Sequence, residues 1–376
     1  MQRQRVLMSV DTSGGYGRGV LRGASTYARQ HGRWALAITP IWALSRENLD
    51  SGYDGVLIQA MSLDLSQLLA DRGTPAVNVA DNQGEHPLPT VRSDHIEIAM
   101  RATEHLLVRG FKHLAFCGDP DEFYSVKRYE GFRQAMRKAG LAEAGNFRPP
   151  LRHTERQELL GQWLMTLPRP CGVMGCNDVW AHDVILACQS IGLRVPEDIA
   201  VVGVDNDELV CELAEVPISS VAVAAQRIGY QAATILAEGM AGRPMPSEPV
   251  EVPPMGVVTR QSSDILAIAD QEVARAVQYI RDHAHESLNV EDVLRDLSIS
   301  RRQLEQRFQT ALGRSPASEI RRVRVERAKH LLEETDVPLG QIALDCGFTD
   351  AARLSKVFGR ETGMTPSRYR MRSRLR

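Results

Sequence analysis

The first 260 residues alternate short apolar runs with longer amphipathic segments, and no other feature of the sequence limits the fold as strongly. The apolar runs typical of buried strands are RVLMSV, WALAIT, DGVLIQA, PAVNVA, HLAFCG, GVMGCND and IAVVGVD. The segments between them with helical periodicity include residues 18–30, LDLSQLLADRG, EIAMRATEHLLVRG, RYEGFRQAMRKAG and AQRIGYQAATILAEGM. Strands that alternate with helices form parallel βαβ units, so we predict an α/β domain built on parallel sheets.

Polar residues follow several of these predicted strands. They are the segment DTSGGYGRGV, Asp119, the pair Asn177 and Asp178, and the run Asp205, Asn206 and Asp207. Parallel sheets of this kind bind ligands at the carboxyl ends of their strands. Any one of these residues could be only a turn former or a helix cap. Several such loops at one edge of a sheet predict instead a cleft that binds the hydroxyl groups of a small ligand.

Several other classes of site are disfavoured by the sequence. The glycines of SGGYGRG lack the G-x-G-x-x-G spacing, and no G-x-x-x-x-G-K-[ST] motif occurs, so we predict no nucleotide cofactor. The six cysteines form no CxxC pair and are predicted to be buried thiols, with no metal site. No apolar run reaches the roughly 18 residues of a membrane span. The N-terminus is predicted to be a first strand and not a signal peptide, which favours a cytoplasmic protein.

From Asp270 onward the strand pattern ends and the periodicity is helical throughout. The segment NVEDVLRDLSISRRQLEQRFQTALG breaks at residues 298–300, where Ser300 and Gln303 form a capping box that begins a new helix. The segment QIALDCGFTDAARL breaks at Gly347, after which we expect Phe348 to enter the core and a second helix to run over about 350–359. Each break predicts a helix-turn-helix unit.

The charge of the chain is unevenly distributed. Residues 301–376 carry 17 Lys and Arg against 9 Asp and Glu, whereas the first 300 residues carry 28 against 38. A basic segment attached to an acidic body favours a polyanionic partner, although a solvated basic tail has the same composition. Together with the two helix-turn-helix units, this asymmetry predicts that the polyanionic partner is double-stranded DNA.

The first part of the chain resembles the effector domains of the LacI/GalR family over about residues 5–264. The resemblance is carried by VPEDIAVVGVDNDEL, RYEGFRQAM, CNDVWAHDVILACQSIGLRVPEDI and VPPMGVVTRQSSD. It implies a two-lobed, periplasmic-binding-protein-like fold with a sugar held between the lobes. The ligand-binding residues that it implies are Arg128, Asp178 and Asp205, with Asn177 and Tyr16 carried over on weaker matches. The first predicted strand begins at residue 5, so we do not expect the DNA-binding headpiece that normally precedes this domain in the family.

Residues 273–370 resemble the DNA-binding domain of the AraC family of transcription regulators. The matching residues of QIALDCGFTDAARLSKVFGRETGMTPSRYR are Ile342, Ala343, Gly347, Phe348, Phe358, Gly363, Thr365, Pro366, Tyr369 and Arg370. Arg353 and Leu354 replace an aromatic pair that is usual in the family. The resemblance implies that two recognition helices enter tandem major-groove half-sites. The implied DNA-binding residues are Arg301, Arg302, Gln303 and Gln306 in the first, and Ala351, Arg353 and Lys356 in the second. Arginine can recognise guanine, glutamine adenine, and Lys356 is expected on phosphate.

These resemblances together imply a sequence-specific transcription regulator, an activator of sugar catabolism genes, controlled by a small sugar such as xylose. The expected domains are the sensor at 1–264, a linker at 265–271 and the DNA-binding domain at 272–376. A homodimer and contact with RNA polymerase are implied by the families. Catalytic residues, metals and cofactors are not expected. A nucleobase or another small metabolite stays open as the alternative effector.

The sequence also disfavours two other classes of protein. A cysteine alkyl-acceptor repair module also occurs fused to AraC-type domains, but it requires a Pro-Cys-His-Arg motif, and PRPCGV at Cys171 lacks the His and Arg. A sugar-binding protein without a DNA role is opposed by the two helix-turn-helix units.

Overall fold

The computed structural model describes residues 3–32, 34–44, 52–60, 63–80, 87–148, 153–265, 270–295, 297–335 and 337–374. The chain divides into two compact units, Met1–Ala267 and Ile268–Arg376. Of the expected linker, residues 266–269 lie outside the described residues. We refer to the two units as the sensor and the helical unit.

The first lobe of the sensor, lobe 1, contains a four-stranded parallel sheet in the order β2-β1-β3-β4. Its strands are β1 (Gln4–Ser9), β2 (Trp34–Ile38), β3 (Gly55–Ile58) and β4 (Ala76–Asn78). Its first two helices are α1 (Gly15–His31) and α2 (Leu63–Asp71). Val6, Leu7 and Met8 of β1 are fully buried, as a central parallel strand with both faces covered requires.

The second lobe, lobe 2, contains a six-stranded sheet in the order β12-β10-β9-β8-β6-β7, in which only β12 is antiparallel to its neighbour. Its strands are β6 (His113–Cys117), β7 (Gly145–Phe147), β8 (Cys171–Gly175), β9 (Ile199–Asp205), β10 (Ser219–Ala222) and β12 (Gly256–Val258). Its helices are α3 (His95–Val108), α4 (Phe123–Lys138), α5 (His153–Thr166), α6 (Asp178–Ser190) and α7 (Glu208–Leu213).

The chain passes between the two lobes three times. It leaves lobe 1 after β5 (Val91–Ser93), returns after β10 to form α8 (Ala225–Met240) and β11 (Val250–Val252), and crosses again to β12. β11 pairs in parallel with β5, and α8 packs closely on α1. A Cβ at Gly23 would lie 2.0 Å from the backbone oxygen of Gln226, so glycine is required there for the helices to approach.

The helical unit contains seven helices in the described residues. They are α9 (Gln271–His283), α10 (Val290–Leu294), α11 (Arg301–Leu312), α12 (Pro316–Glu334), α13 (Leu339–Asp345), α14 (Ala351–Thr362) and α15 (Pro366–Arg374). The unit has two apolar cores, and α12 contributes to both, with Ile320 in the first and Val325, Ala328 and Leu332 in the second. The pairs α10–α11 and α13–α14 are the two helix-turn-helix units.

The local signals in the sequence account for the turns in these units. Ser300 accepts from the backbone N–H of Gln303, and the Gln303 side chain accepts from the Ser300 N–H, which confirms the capping box. Gly347 has φ of 71°, and a Cβ there would lie 2.4 Å from the backbone oxygen of Ala284. Phe348 is 6% exposed. The glycine therefore permits both the left-handed turn and the close approach of the segment that follows α9.

A buried carboxylate ties the start of α12 together. Glu319 is 1% exposed and lies 2.5 Å from Arg314 and 2.8 Å from Arg322. Burial raises the pKa of Glu319, but Arg322 and Arg314 outweigh that effect, so the pKa is held below its usual value. The ionised carboxylate therefore stabilises the folded helical unit at neutral pH.

The six cysteines are all free and buried, which confirms the prediction that they are buried thiols. Among the described helices, none combines the length and the apolar character that crossing a bilayer requires.

Candidate functional site

The loop after β9 places three polar residues in succession at the carboxyl end of the lobe 2 sheet. β9 ends at Asp205, and Asn206 and Asp207 follow before α7 begins. Asp205 and Asn206 have positive φ angles of 108° and 51°. Asp and Asn adopt positive φ more readily than most residues with a side chain. The backbone as well as the side chains therefore explains which residue types occur here.

Arg128 reaches this loop from α4. It is 3% exposed, its Nη2 lies 3.2 Å from Asp205 Oδ1, and its Nη1 donates to the Cys176 carbonyl at 2.5 Å. The guanidinium group also lies 5.0 Å from the centre of the Tyr124 ring. The Asp205 side chain is 27% exposed. An arginine held in this way beside a partly open carboxylate offers donors and acceptors together, as hydroxyl ligands require.

Asp178 lies behind the loop. It is 2% exposed, its Oδ1 accepts from Ser220 Oγ at 2.5 Å, and its Oδ2 accepts from the Asp207 backbone N–H at 2.8 Å. Burial, and after it the charge of Asp205, raises the pKa of Asp178 to about 7. The sequence predicted a ligand contact for this residue, and the structure places both of its oxygens on protein groups that hold the loop.

Asn177 and Tyr16, the two weaker candidates, are half-buried. Asn177 caps α6 by accepting from the Trp180 N–H at 3.0 Å, and its Nδ2 lies 3.4 Å from the Tyr124 hydroxyl. The Tyr16 hydroxyl donates to the Val79 carbonyl at 2.8 Å, at the carboxyl end of β4. Both side chains therefore lie at strand ends, Asn177 in lobe 2 and Tyr16 in lobe 1.

Asp207 connects the two lobes. Its Oδ2 accepts from the Gly15 backbone N–H at 2.6 Å, and Arg18 Nη2 lies 3.2 Å from both of its oxygens. Gly15 and Arg18 belong to the first turn of α1 in lobe 1. The sequence pattern does not indicate this contact. The available signal was the glycine-rich start of α1, because the first N–H groups of a helix need an acceptor from elsewhere.

A groove of about 500 Å³ lies elsewhere in the sensor, between α1 and α8. Its lining residues are Gly23, Thr26, Gln226, Arg227, Tyr230, Gln231 and Thr234. None of the five predicted ligand-binding residues lines this groove. It is therefore a feature of the packing of α1 on α8 and not part of the site at the strand ends.

The predicted DNA-binding residues of α11 are all exposed. Arg301 is ion-paired with Glu291 of α10 and, at 3.1 Å, with Glu305 one turn along α11. Gln303 is engaged in the capping box. Arg302 and Gln306 project from the same helix. The structure thus ties Arg301 to the preceding helix, a constraint that the sequence pattern did not indicate.

The second candidate DNA-binding helix is α14. Arg353 and Lys356 are exposed and Ala351 is half-buried, whereas Leu354, one of the two residues in place of the usual aromatic pair, is fully buried. Asp350 caps the helix by accepting from the Arg353 N–H at 2.7 Å. This cap fixes the start of α14 and leaves the Arg353 side chain on the surface.

One arginine of α12 contacts both the segment that precedes the first helix-turn-helix unit and the turn of the second. Arg324 donates to the carbonyls of Ala284, Glu286 and Leu288 at 2.9, 2.8 and 3.2 Å, and lies 5.8 Å from the centre of the Phe348 ring. The three carbonyls belong to the segment before α10, and Phe348 belongs to the second turn. Within the helical unit, Arg324 therefore joins the segment before α10 to the turn between α13 and α14.

Comparisons with known proteins match one known domain in the sensor and another in the helical unit. A periplasmic binding protein-like domain model matches residues 103–263, and a helix-turn-helix domain model matches residues 293–372. The xylose operon regulatory protein of Escherichia coli K12 is 29% identical, with 98% of this chain and 97% of that protein covered. The same-named protein of Haemophilus influenzae is 29% identical, with 95% of each covered.

A solved structure described as the xylose-binding transcription activator xylR covers 99% of this chain and 98% of its own, at 29% identity and a TM-score of 0.76. These matches confirm the predicted fold class, an α/β sensor followed by a helical DNA-binding domain. Among the residues that the structure describes, no group of three or more His, Cys, Asp or Glu is placed to hold a metal ion.

Proposed function

We propose that this chain, a transcription regulator that joins a periplasmic-binding-protein-like sensor to an AraC-type helix-turn-helix domain, binds D-xylose between its lobes and changes its DNA binding in response. The observation that carries the proposal is the position of Arg128 and Asp205 at the strand ends of lobe 2, next to the contact between Asp207 and lobe 1. Full-length similarity to proteins named for the xylose operon supports the choice of sugar.

The proposed roles follow from the contacts. Arg128 donates to hydroxyl or ring oxygens of the sugar, and Asp205 accepts from its hydroxyls. Asp178 holds the loop from behind, and Asn177 and Tyr16 border the site from the two lobes. In this proposal the ligand stabilises one arrangement of the lobes over another, which is the only way in which binding can shift a conformational equilibrium.

In the helical unit, α11 and α14 are the proposed recognition helices. Arg302, Gln306 and Arg353 are the proposed base contacts, and Lys356 is a proposed phosphate contact. Arg301 would exchange a carboxylate partner for DNA, Gln303 combines capping with a DNA contact, and Ala351 meets a thymine methyl group. We further propose a homodimer that binds tandem half-sites, acts as an activator and contacts RNA polymerase, by analogy with the families.

The sensor is tested by melting the full-length protein with D-xylose, other pentoses, hexoses and purines. Ligand at 100 times its Kd stabilises a protein by about 2.7 kcal/mol, which corresponds to a Tm increase of about 5 to 10 °C for a unit of this size. Asp205→Ala should abolish the increase.

The matched control for this substitution is Asp198→Ala. Asp198 precedes the opposite end of β9, pairs with Arg194, and has a side chain 22% exposed. The control should keep the D-xylose response. A response to purines alone would support the alternative effector, and an unchanged response in Asp205→Ala would overturn the proposed site.

The DNA contacts are tested on a duplex that the full-length protein selects from a random-sequence pool. Lys356→Ala should weaken binding to all sequences and lower the dependence of log Kd on log salt by about one unit. Arg353→Ala should relax the preference at one base position. Arg360→Ala, which removes a charge paired with Glu361 near the far end of α14, is the control. Equal effects of all three variants would contradict the assignment.

A further inference from the structure

Three consecutive residues of the β9 loop have side chains bonded to three different parts of the sensor. Asp205 pairs with Arg128, Asp207 binds the start of α1, and Asn206 Oδ1 accepts from Arg260 Nη1 at 2.8 Å. The Asn206 backbone N–H donates to Ser220 Oγ at 2.9 Å. Asn206 is therefore held on both its backbone and its side chain, between the proposed ligand contact and the contact between lobes.

Arg260 is itself fixed by its surroundings. Besides Asn206, its Nη1 donates to the Ile218 carbonyl at 3.0 Å. Its backbone N–H donates to Ser219 Oγ at 2.8 Å, and the Ser219 hydroxyl donates to its carbonyl at 2.8 Å. A displacement of Asn206 thus acts on a residue whose backbone and guanidinium are both part of the hydrogen-bond network at the start of β10.

Directly after Arg260 comes the last described segment of the sensor, which ends at Ile265 before the chain continues to the helical unit. A single turn at Gln261–Ser263 contains two fully buried serines. Ser262 Oγ donates to the Val201 carbonyl at 2.7 Å, and Ser263 Oγ lies 2.7 Å from His105 Nε2. The segment is therefore held on β9 and α3 of lobe 2, and Arg260 is the residue that joins it to the ligand loop.

We infer that Asn206 is a positioning residue that transmits the state of the ligand loop, through its hydrogen bond to Arg260, to residues 261–265 and so to the chain that leads to the helical unit. This inference rests on the proposed function. A ligand that pulls Asp205 moves its neighbour Asn206, and the loop cannot move without displacing or breaking the bond to Arg260. Such a contact would give ligand-dependent coupling without touching the ligand.

The test is hydrogen–deuterium exchange of the full-length protein with and without saturating D-xylose. In the wild type, the sugar should slow exchange of the amides of residues 261–265 at least fivefold. Asn206→Gly removes the acceptor while accepting the positive φ, so added backbone strain is avoided. It should bind D-xylose with a Kd within threefold of the wild type, yet change exchange in this segment less than twofold.

Two further variants serve as controls. Asn206→Asp keeps an acceptor and tolerates positive φ, so it should retain the wild-type response. Arg260→Lys keeps the charge and the backbone contacts to Ser219 but loses the fork, so it should behave like Asn206→Gly; it decides the question if Asn206→Gly does not fold.

The inference is overturned if the glycine and lysine variants bind D-xylose and protect residues 261–265 as the wild type does. It is also overturned if Asn206→Gly loses sugar binding itself, because Asn206 would then be a ligand contact. Failure of the wild type to bind any pentose would overturn the proposed function together with this inference.

Discussion

Replacing Asp207 by Asn should lower both the stability of the sensor and its affinity for sugar. The carboxylate accepts from the Gly15 N–H at 2.6 Å and from Arg18 at 3.2 Å, and its side chain is 12% exposed. Hydrogen bonds to charged groups contribute about 1.5–3 kcal/mol, against about 0.5–1.5 kcal/mol for neutral ones. The Arg18 side chain is 34% exposed, so its pair adds at most about 1 kcal/mol. The expected loss is about 1–2 kcal/mol, or about 2–8 °C in Tm.

The effect on ligand binding separates a contact between lobes from a local one. Because Asp207 links the lobes beside the proposed site, we expect the D-xylose Kd of Asp207→Asn to rise about tenfold, which is 1.4 kcal/mol. The control is Asp198→Asn. Asp198 accepts from the backbone N–H and from the guanidinium of Arg194 at 3.0 to 3.1 Å, all within lobe 2. Calorimetric titration of both variants gives the comparison.

The control variant should lose stability without losing affinity. If both variants melt lower but bind D-xylose like the wild type, the Asp207 contact is merely structural and does not couple the lobes to sugar binding.

Three further predictions concern pH, a buried charge and a turn. The pKa of Asp178 is raised from 3.8 to about 7, so its contribution to stability is full below about pH 4 and is lost as pH rises to 7. In denaturant titrations, the unfolding free energy of the wild type relative to Asp178→Asn should therefore fall by at most about 3 kcal/mol between pH 5 and pH 8. A difference that does not change with pH would contradict this prediction. Glu319→Gln should destabilise the helical unit by about 2 kcal/mol at pH 7. This difference from the wild type should shrink as pH falls, because the wild-type carboxyl is then protonated. Circular dichroism melts that show the same difference at all pH values would refute the prediction. Gly347→Ala should lower the unfolding free energy of the helical unit by about 3 kcal/mol, because it combines a positive φ with a steric clash. Gly313→Ala, with φ of 65° and nothing within 4 Å of its Cβ, should lower it by about 1 kcal/mol. Equal melting temperatures of the two variants would show that the structure relaxes to relieve the clash.

The periodic features of the chain could be predicted from the sequence because one residue and its near neighbours determine them. Val273, Ala276, Val277 and Ile280 have the spacing of one helix face, and they form the buried face of α9 at 0–2% exposure. The capping box and the turn at Gly347 follow from local signals in the same way. The three-residue strands β5, β7 and β11 were not predicted, because so short a run carries no periodicity.

The contacts that organise the candidate site are long-range and have no local signal. Asp207 binds residues 192 and 189 positions away, and Asn206 binds Arg260, 54 positions away. The sequence indicated that Asp178 belongs to the site but not that it lies behind the loop, because burial depends on the packing of β9, β10 and α6 around it. The ion pair of Arg301 with Glu291 depends likewise on the turn between α10 and α11.

We propose above that sugar bound in the sensor controls DNA binding by the helical unit. The most direct measurement is the affinity of the full-length protein for its selected duplex, with and without saturating D-xylose, at one fixed salt concentration. We predict a change of at least fivefold, and by linkage the same factor in the D-xylose Kd when the duplex is present. Equal DNA affinities with and without bound D-xylose would show that sugar does not control DNA binding.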